Sequence, residues 1–384
     1  MQIYVGREPG ADERRVALLP GGVKQLSALG FEVICEPGLG AAVNVADEEY
    51  TAAGARLAAA AGALAAADVV LKVRPPGPAW LENLKPGCLL ISYLDPFFQP
   101  RLIAAAAARQ IAAFCMEMIP RTTLAQKMDA LSSQASLAGY VAVMLAANRL
   151  DQVLPMMMTP AGTLAPARVF VIGAGVAGLQ AIATARRLGA RVEAFDTRPV
   201  VEEQVQSLGA RFVKVDLGET GQTKDGYAKA LTPEQLEIQR QAMARHCAQA
   251  DVVITTAALF GRKAPLIVTD AMLAGMKPGS VVVDLAVETG GNVEGVVPDQ
   301  ETVIHGVRVL GWRNLPGRVP LHASQMYSSN LVNLLTHLWD APAKAWRDLA
   351  EDEIWRAGLL TRDGEIVQDA VRESVQAGLA GAEG

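Results

Sequence analysis

The stretch Arg168-Val-Phe-Val-Ile-Gly-Ala-Gly-Val-Ala-Gly-Leu-Gln180 decides the fold class of this chain. An apolar run ends at glycines spaced G-x-G-x-x-G, and apolar residues then recur at helical spacing. In such a strand, turn and helix, Gly173 lets the chain turn, Gly175 lets backbone amides approach a pyrophosphate, and Gly178 lets the helix pack closely. The helix N-terminus then faces the phosphates, so the stretch predicts a dinucleotide site.

A carboxylate follows this stretch at the spacing that dinucleotide sites use. A second predicted strand, over 191–195, ends at Asp196, eighteen residues after Gly178. A carboxylate there accepts hydrogen bonds from the adenosine ribose 2′-OH and repels a 2′-phosphate, which predicts NAD(H) rather than NADP(H). Arg198 is the opposing feature, because a guanidinium two residues further on could accommodate a 2′-phosphate.

Length and composition exclude several classes of protein. A chain of 384 residues is longer than one hydrophobic core usually organises, so two domains are expected. The longest apolar run, over 57–67, is mostly alanine and has 11 residues, against the roughly 18 that a membrane span needs. Since the first residues have neither the basic start nor the apolar core of a secretory signal, a cytoplasmic protein that does not cross the membrane is expected.

Charge and cysteine usage exclude further functions. The net charge is −5 and no basic stripe is present, which argues against nucleic-acid binding. The four cysteines lie far apart and form no C-x-x-C pair, which argues against a zinc site or a disulfide framework. We therefore expect reduced thiols in the core and no metal site.

Strand and helix patterns alternate along the chain, which implies parallel sheets covered by helices. A long helix is predicted from 133 to about 154, and a loop over 155–163 in which the methionines at 156–158 are interpreted as flexible core filler rather than a ligand site. The connection over 217–232 has the composition of a mobile or functional loop. The predicted strands are 2–5, 31–35, 69–73, 88–93, 112–116, 169–172, 191–195, 212–215, 251–255 and 280–284, and predicted helices include 22–29, 48–60, 101–110 and 323–339.

These patterns predict an α/β fold of two Rossmann-like domains with parallel sheets, joined by long helices around a cleft. The first domain is discontinuous and comprises residues 1–132 and 320–384. The second comprises residues 133–319 and is the NAD(H)-binding Rossmann domain.

Several polar residues could carry chemistry, and each has a structural alternative. Arg15 and Lys72 lie near strand ends, where ligands of such sheets collect, and could bind an anionic substrate. Alternatively, Arg15 pairs with Asp12 or Glu13, and Lys72 is solvated.

Two further groups of polar residues have alternative roles. Polar groups between Arg121 and Ser133 could fix a nicotinamide carboxamide and ribose. Alternatively, Ser132 or Ser133 caps the long helix and Asp129 complements its dipole, although capping would not explain Arg121 and Gln126. Asp284 and Glu288, at the end of a buried strand, face a cofactor or serve the fold.

The chain resembles the alanine dehydrogenase and pyridine nucleotide transhydrogenase family over nearly its whole length. Arg14-Arg-Val-Ala-Leu18 and Ala67-Asp-Val-Val-Leu-Lys-Val73 match elements of both branches. In alanine dehydrogenases the equivalents of Arg15 and Lys72 bind pyruvate. Those enzymes also use a histidine and an aspartate where this chain has Asp95 and Glu288. Without the imidazole, no such group exchanges a proton with the substrate carbonyl, so the resemblance argues against alanine dehydrogenase activity.

The segment Pro120-Arg-Thr-Thr-Leu-Ala-Gln-Lys-Met-Asp-Ala-Leu-Ser-Ser-Gln-Ala-Ser-Leu-Ala-Gly-Tyr140 is similar to the characteristic loop of proton-translocating NAD(P) transhydrogenase, in its NAD(H)-binding alpha component. The resemblance implies that Arg121, Asp129 and Ser132 surround the nicotinamide end of NAD(H). It implies that Gln126 reaches toward NADP(H) on a partner subunit. Asp225-Gly-Tyr-Ala-Lys-Ala-Leu231 is similar to the family's mobile loop, with Tyr227 closing over the nucleotide.

The resemblance implies an enzyme subunit that is active only with partners. Hydride would pass directly between NADH and NADP⁺ bound on the partner, coupled to proton movement. The expected partners are separate polypeptides, an NADP(H)-binding component and a membrane-domain subunit. We expect a homodimer, cytoplasmic and peripherally attached to the inner membrane through those partners. The alternatives are a soluble alanine dehydrogenase-like oxidoreductase and a non-catalytic NAD sensor. The candidate cofactor-binding residues are Gly173, Ala174, Gly175, Val176, Gly178, Asp196, Thr197, Arg198, Tyr227, Ala257 and Leu259.

Overall fold

The computed structural model describes residues 1–10, 12–218 and 232–380. The chain forms two compact units. One, the discontinuous unit, comprises Met1–Gln134 and Gly317–Gly384, and the other, the continuous unit, comprises Ala135–Pro316.

The strands and helices of the described residues are numbered in chain order. The strands are β1 (Gln2–Val5), β2 (Glu32–Cys35), β3 (Arg56–Leu57), β4 (Val69–Leu71), β5 (Leu89–Ser92), β6 (Ala112–Cys115), β7 (Met157–Thr159), β8 (Gly162–Leu164), β9 (Arg168–Ile172), β10 (Arg191–Phe195), β11 (Arg211–Phe212), β12 (Val252–Thr255), β13 (Val281–Asp284), β14 (Glu301–Ile304), β15 (Val307–Leu310), β16 (Trp339–Asp340), β17 (Ala345–Trp346), β18 (Leu359–Arg362) and β19 (Glu365–Ile366). The helices are α1 (Pro20–Ala28), α2 (Asp47–Ala52), α3 (Ala60–Ala66), α4 (Pro100–Ala108), α5 (Ala130–Arg149), α6 (Val176–Arg187), α7 (Glu202–Ser207), α8 (Pro233–Gln249), α9 (Asp270–Ala274), α10 (Pro320–Leu338), α11 (Glu353–Gly358) and α12 (Asp369–Ala380).

The sheet of the discontinuous unit has the strand order β19-β18-β6-β5-β4-β1-β2-β3. Its strands are parallel from β6 to β3, and β18 and β19 are added antiparallel at one edge. Ile3 and Val5 of β1 pack into one apolar cluster and Tyr4 into another, so side chains that alternate along the strand fill cores on both faces. The chain runs outward from β1 in one direction and from β4 in the other, so the sheet changes direction between these strands.

The sheet of the continuous unit has the order β11-β10-β9-β12-β13-β15-β14, with β14 antiparallel to β15 and the other neighbours parallel. This is a doubly wound order in which the direction changes between β9 and β12. Ligands of such sheets bind outside the carboxyl ends of the strands at that point. The expected α/β class with parallel sheets is confirmed.

By length and composition, helix α5 is long and apolar enough to cross a membrane, although no such segment was predicted from the sequence. That is a weak indication, because the core helix of a soluble domain has the same properties. Within the continuous unit its backbone touches α6, since a Cβ built on Gly139 would lie 2.1 Å from the carbonyl oxygen of Ala177. This close approach of two backbones indicates a helix that packs against protein.

Three predicted features were wrong. The helix expected over 48–60 ends at Ala52, because Gly54 adopts φ +105° and the chain turns into β3. The loop expected over 155–163 contains the hairpin β7–β8. The three methionines at 156–158 are not core filler, since Met158 is 76% exposed and Met156 and Met157 are also exposed. The four cysteines are buried free thiols, as predicted.

Candidate functional site

Two of the three glycines in the turn after β9 are required by the fold. Gly173 adopts φ +99°, and its backbone N–H donates to the carbonyl of Phe195 at 2.8 Å. A Cβ on Gly178 would lie 1.8 Å from the carbonyl oxygen of Gly173, and a Cβ on Gly173 would lie 2.5 Å from Thr256 Oγ1. The first turn of α6 therefore packs directly on the backbone that precedes it.

Gly175 differs, because the protein itself does not require it. It precedes α6 at φ −77°, a conformation open to other residues, and a Cβ there would meet no protein atom closer than 4.0 Å, the Arg198 Nη2 atom. Gly175 is the N-cap of α6, a twelve-residue helix whose N-terminus carries a partial positive charge. This cradle, which a Cβ would fill, fits the close approach of a pyrophosphate to backbone amides.

A matched pair of substitutions separates these two roles. Gly178→Ala should lower the free energy of unfolding by about 1–3 kcal/mol, because the methyl group collides with a backbone carbonyl. Gly175→Ala should change stability by less than about 1 kcal/mol, yet weaken NADH binding by about tenfold or more, because it obstructs the ligand. Thermal unfolding and calorimetric titration with NADH measure both. Equal effects of the two variants on binding per folded molecule would contradict the assignment.

Asp196 is held at the end of β10, beside the turn. Its carboxylate accepts the backbone N–H of Ala174 at 2.7 Å and that of Arg198 at 2.8 Å. It also accepts two hydrogen bonds from the Arg198 guanidinium, at 2.9 and 2.8 Å. Because of these hydrogen bonds, the pKa of Arg198 lies above its usual value. The guanidinium that could accommodate a 2′-phosphate is therefore bonded to the carboxylate that would repel one.

The loop after β12 is fixed by a buried amide that was not among the residues predicted from the sequence. Asn292 Oδ1 accepts a hydrogen bond from the backbone N–H of Ala257 at 3.1 Å, and Asn292 Nδ2 donates to the carbonyl of Ala257 at 2.8 Å. It also donates to the carbonyl of Pro265 at 2.8 Å. The available signal was an amide directly after two glycines, in the loop that follows the buried strand β13. Asn292 thus sets the position of the candidate residue Ala257.

Asp284 serves the fold. It is fully buried and accepts hydrogen bonds from Thr255 Oγ1 and from the backbone N–H groups of Ala286, Asn292 and Val293. Burial raises the pKa of Asp284, and these donors oppose the rise. Glu288 is exposed and accepts the backbone N–H of Asn314 at 2.7 Å.

The remaining cofactor candidates occupy different positions. Val176 is exposed at the start of α6, and Thr197 and Leu259 are half-buried. Tyr227 and the predicted loop around it lie outside the described residues.

In the discontinuous unit, Arg15 and Lys72 are each paired with a carboxylate of this chain. Arg15 donates to both carboxylate oxygens of Glu13, at 2.8 and 2.6 Å. Lys72 Nζ lies 3.3 Å from Glu8 Oε2, and both side chains are buried. Pairing of Arg15 with Glu13 is confirmed, and the alternative of a solvated Lys72 is wrong.

This pairing holds charges that burial would otherwise disfavour. Burial tends to lower the pKa of Arg15, but hydrogen bonds and the charge of Glu13 outweigh it, so the pKa lies above its usual value. Arg15 also donates to Gln134 Oε1 at 2.9 Å, and Gln134 donates to the carbonyl of Ala323 on α10 at 3.0 Å. Arg15 therefore also fixes the first turns of α5.

Asp129 caps α5. One carboxylate oxygen accepts the backbone N–H of Ser132 at 2.8 Å, and the other accepts the Ser132 hydroxyl at 2.5 Å. The interpretation of Ser132 or Ser133 as the cap is therefore wrong, and the carboxylate complements the dipole directly. Arg121 and Gln126 lie on the same segment with exposed side chains. The structure thus joins Asp129 to Ser132, while Gln126 begins the short 3-10 turn Gln126–Met128.

Asp95 is the residue at which the resemblance implies a histidine in alanine dehydrogenases. It is exposed, adopts φ +47°, and its backbone N–H donates to Glu117 Oε1 at 2.9 Å. The backbone N–H of Leu94 also donates to Glu117, at 3.0 Å. Burial of the carboxylate raises the pKa of Glu117 to about 7.

This pKa predicts a pH dependence of stability. Since the folded chain retains the Glu117 proton between about pH 4.5 and pH 7 while the unfolded chain releases it, stability should fall by up to about 3 kcal/mol as pH rises through that range. Glu117→Gln should remove this component. Unfolding by urea at pH 5 and at pH 8 measures the difference, and an unchanged pH dependence in the variant would contradict it.

The doubly wound sheet, the glycine turn and the fixed carboxylate define a dinucleotide-binding protein of the dehydrogenase type. Two family descriptions match the chain: "Alanine dehydrogenase/PNT, N-terminal domain" over residues 4–138, and "Alanine dehydrogenase/PNT, C-terminal domain" over residues 142–369. The chain belongs to the alanine dehydrogenase and pyridine nucleotide transhydrogenase family, and the resemblance found in the sequence is confirmed.

Similarity is higher to the transhydrogenase branch. The chain is 45% identical over 379 residues to the first segment of NAD(P) transhydrogenase subunit alpha of Rhodospirillum rubrum, covering 97% of this chain and 99% of that protein. The structure of transhydrogenase from Sinorhizobium meliloti matches with a TM-score of 0.84 and 44% identity, covering 96% of this chain and all of that one. Alanine dehydrogenase of Bacillus subtilis is 30% identical over 379 residues, covering 97% of this chain and 94% of that protein.

Proposed function

We propose that this chain is the NAD(H)-binding subunit of a proton-translocating NAD(P) transhydrogenase. Hydride passes directly between NADH on this chain and NADP⁺ on a partner subunit, coupled to proton translocation by a separate membrane component. The observation that carries this proposal over an alanine dehydrogenase is the identity of 45% to NAD(P) transhydrogenase subunit alpha, against 30% to alanine dehydrogenase. In addition, Arg15 is paired with Glu13 and Lys72 with Glu8. Two cations that would bind a small carboxylic acid are already bonded to internal carboxylates.

The continuous unit binds NAD(H) at the turn after β9. Backbone amides of Gly175 and Val176 and the N-terminus of α6 hold the pyrophosphate. Asp196 accepts the adenosine ribose hydroxyls and disfavours a 2′-phosphate. The hydrogen bonds from Ala174 and Arg198 to this carboxylate support the proposal, because they hold it beside the turn before the nucleotide arrives.

Removing the carboxylate tests the nucleotide preference. NADH should bind the unmodified chain more tightly than NADPH. Asp196→Ala should narrow that difference by about tenfold or more, since a hydrogen bond to a charged group contributes about 1.5–3 kcal/mol and Arg198 loses its bonds to this carboxylate. Calorimetry with both nucleotides measures it, with Asp270→Ala as an exposed control. Equal affinities of the unmodified chain would sink the assignment.

Residues of the segment 121–132 orient the nicotinamide end. Arg121, Asp129 and Ser132 hold the carboxamide and the ribose so that one face of C4 is presented, and Gln126 reaches toward NADP(H) on the partner. A hydrogen atom moves with its electron pair from C4 of NADH to C4 of NADP⁺, giving NAD⁺ and NADPH. This exchange transfers no proton to a side chain, so it needs no imidazole at the position of Asp95.

The isolated chain should bind NADH without turnover, because direct transfer needs a second nicotinamide at near-contact distance. Mixed with an NADP(H)-binding partner, it should support transfer. Gln126→Asn should slow that transfer by about tenfold or more while changing the NADH dissociation constant by less than about twofold, because the shortened amide no longer positions the second nucleotide. Stopped-flow absorbance and calorimetry provide the two readouts. Reductive amination of pyruvate by the isolated chain at an ordinary enzymatic rate would overturn the proposal.

The partners follow from the same resemblance. The name of the Rhodospirillum rubrum relative makes it one segment of an alpha subunit, which implies further subunits in that complex. We infer an NADP(H)-binding component and a membrane-domain subunit as partners of this chain. Attachment to the inner membrane is peripheral and occurs through them.

The β7–β8 hairpin supports a homodimer. It forms a separate two-stranded sheet within the described residues, and its apolar side chains, among them Met157, Met158 and Leu164, are exposed. An isolated two-stranded hairpin is marginally stable in water, and clustered exposed apolar side chains mark interaction surfaces. We infer that the hairpin contacts a second copy of this chain.

A charge on the hairpin tests this contact. Met158→Glu should shift the chain from dimer to monomer in analytical ultracentrifugation, because the interface would bury an unpaired carboxylate. Val303→Glu, at a 68% exposed position on the edge strand β14, is the matched control and should leave the dimer intact. A monomeric unmodified chain, or a dimer that survives the Met158 change, would rule out this role.

A further inference from the structure

The turn that carries Gln126 is fastened to α10 through one backbone carbonyl. Asn330 of α10 is buried, and its Nδ2 donates to the carbonyl of Lys127 at 2.9 Å. The Oδ1 atom of the same amide accepts the hydroxyl of Ser133 at 2.8 Å. One side chain therefore bonds to the segment on both sides of Asp129.

A second amide of α10 reaches the same carbonyl with a longer bond. Asn333 is half-buried, and its Nδ2 donates to the carbonyl of Lys127 at 3.3 Å and to the carbonyl of Ser329 at 2.8 Å. Since its shorter bond stays within α10, Asn333 is bound less strongly to the turn than Asn330 is.

Some residues of the turn are buried and anchor it, whereas others are exposed to solvent. Ala125 and Met128 are fully buried in the apolar cluster that α10 also lines, whereas Arg121 and Gln126 are exposed. The backbone is regular here only over the three residues Gln126–Met128. Its position therefore depends on tertiary bonds rather than on a continuing helix or strand.

We propose that Asn330 is a positioning residue for hydride transfer, which acts by fixing the Lys127 carbonyl and thereby the places of Gln126 and Asp129. The inference rests on the proposed function of these two residues. Both ends of the Asn330 side-chain amide are bonded to groups of this chain, the Lys127 carbonyl and the Ser133 hydroxyl. Its contribution is geometric, because near-contact transfer between two rings is sensitive to displacements of about 1 Å in the groups that orient them.

The test compares Asn330→Ala with Asn333→Ala, each mixed with the NADP(H)-binding partner. Asn330→Ala should lower the single-turnover transfer rate by about tenfold to a hundredfold, with an NADH dissociation constant within about twofold of the unmodified value. Asn333→Ala should retain a rate within about twofold, because the shorter bond from Asn330 persists. An unchanged rate for Asn330→Ala, or an equal loss in both variants, would overturn the proposal.

A second readout does not depend on transfer. Hydrogen exchange of the amides over 121–129 in the isolated chain should become faster in Asn330→Ala and stay unchanged in Asn333→Ala. If Asn330→Ala does not fold, Asn330→Asp keeps the size of the side chain and the acceptor for Ser133, and should give the same loss. A chain that fails to transfer hydride with a competent partner contradicts the proposed function, whereas unchanged exchange in Asn330→Ala contradicts the positioning role.

Discussion

The continuous unit depends on the contact between the first turn of α6 and the backbone of the turn after β9. Gly178 lies so close to the carbonyl of Gly173 that no other residue fits. The Gly173 N–H donates to the carbonyl of Phe195 at the end of β10. The Gly173 carbonyl accepts the hydroxyl of Thr256, which follows β12, at 2.9 Å. One steric constraint therefore fixes the strand, the helix and the two neighbouring strand ends together. Because the constraint uses backbone atoms, it leaves the N-terminus of α6 open in front of Gly175, where an anion is stabilised most.

In the discontinuous unit, the corresponding place in the sheet holds charged side chains that are paired with each other. Its direction changes between β1 and β4, where doubly wound sheets bind ligands, and this position holds the buried pair of Glu8 and Lys72. Glu13 likewise neutralises Arg15. Removing one partner of such a pair would leave an unpaired buried charge, so the carboxylates cannot yield to a substrate without a large cost. Arg15 in turn fixes α5 through its hydrogen bond to Gln134.

Local patterns were sufficient to predict most strands of the two parallel sheets, the glycine turn and the place of Asp196 at the end of β10, because each depends on residues close together in sequence. The features that were missed depend on partners far apart. Nothing near Lys72 indicates that Glu8 neutralises it, and nothing near Ala257 indicates that Asn292 holds it. The hairpin β7–β8 was missed for a related reason. Its exposed methionines resemble a core pattern in sequence, and only the fold reveals that Met158 is 76% exposed.

The proposed direct transfer between two nicotinamides requires geometry rather than acid or base chemistry, and the fixed positions of several polar groups of this chain suit that requirement. Asp129 is engaged in capping α5 and Ser132 is bonded to it, so both are held in single positions. Gln126 projects from a turn whose carbonyl is anchored by Asn330. A proton-transferring enzyme would instead need a side chain whose pKa lies near the working pH, within reach of the substrate. The carboxyl group of Glu117 has such a pKa, but it is occupied in holding the turn at Asp95, so its proton affects stability rather than the reaction.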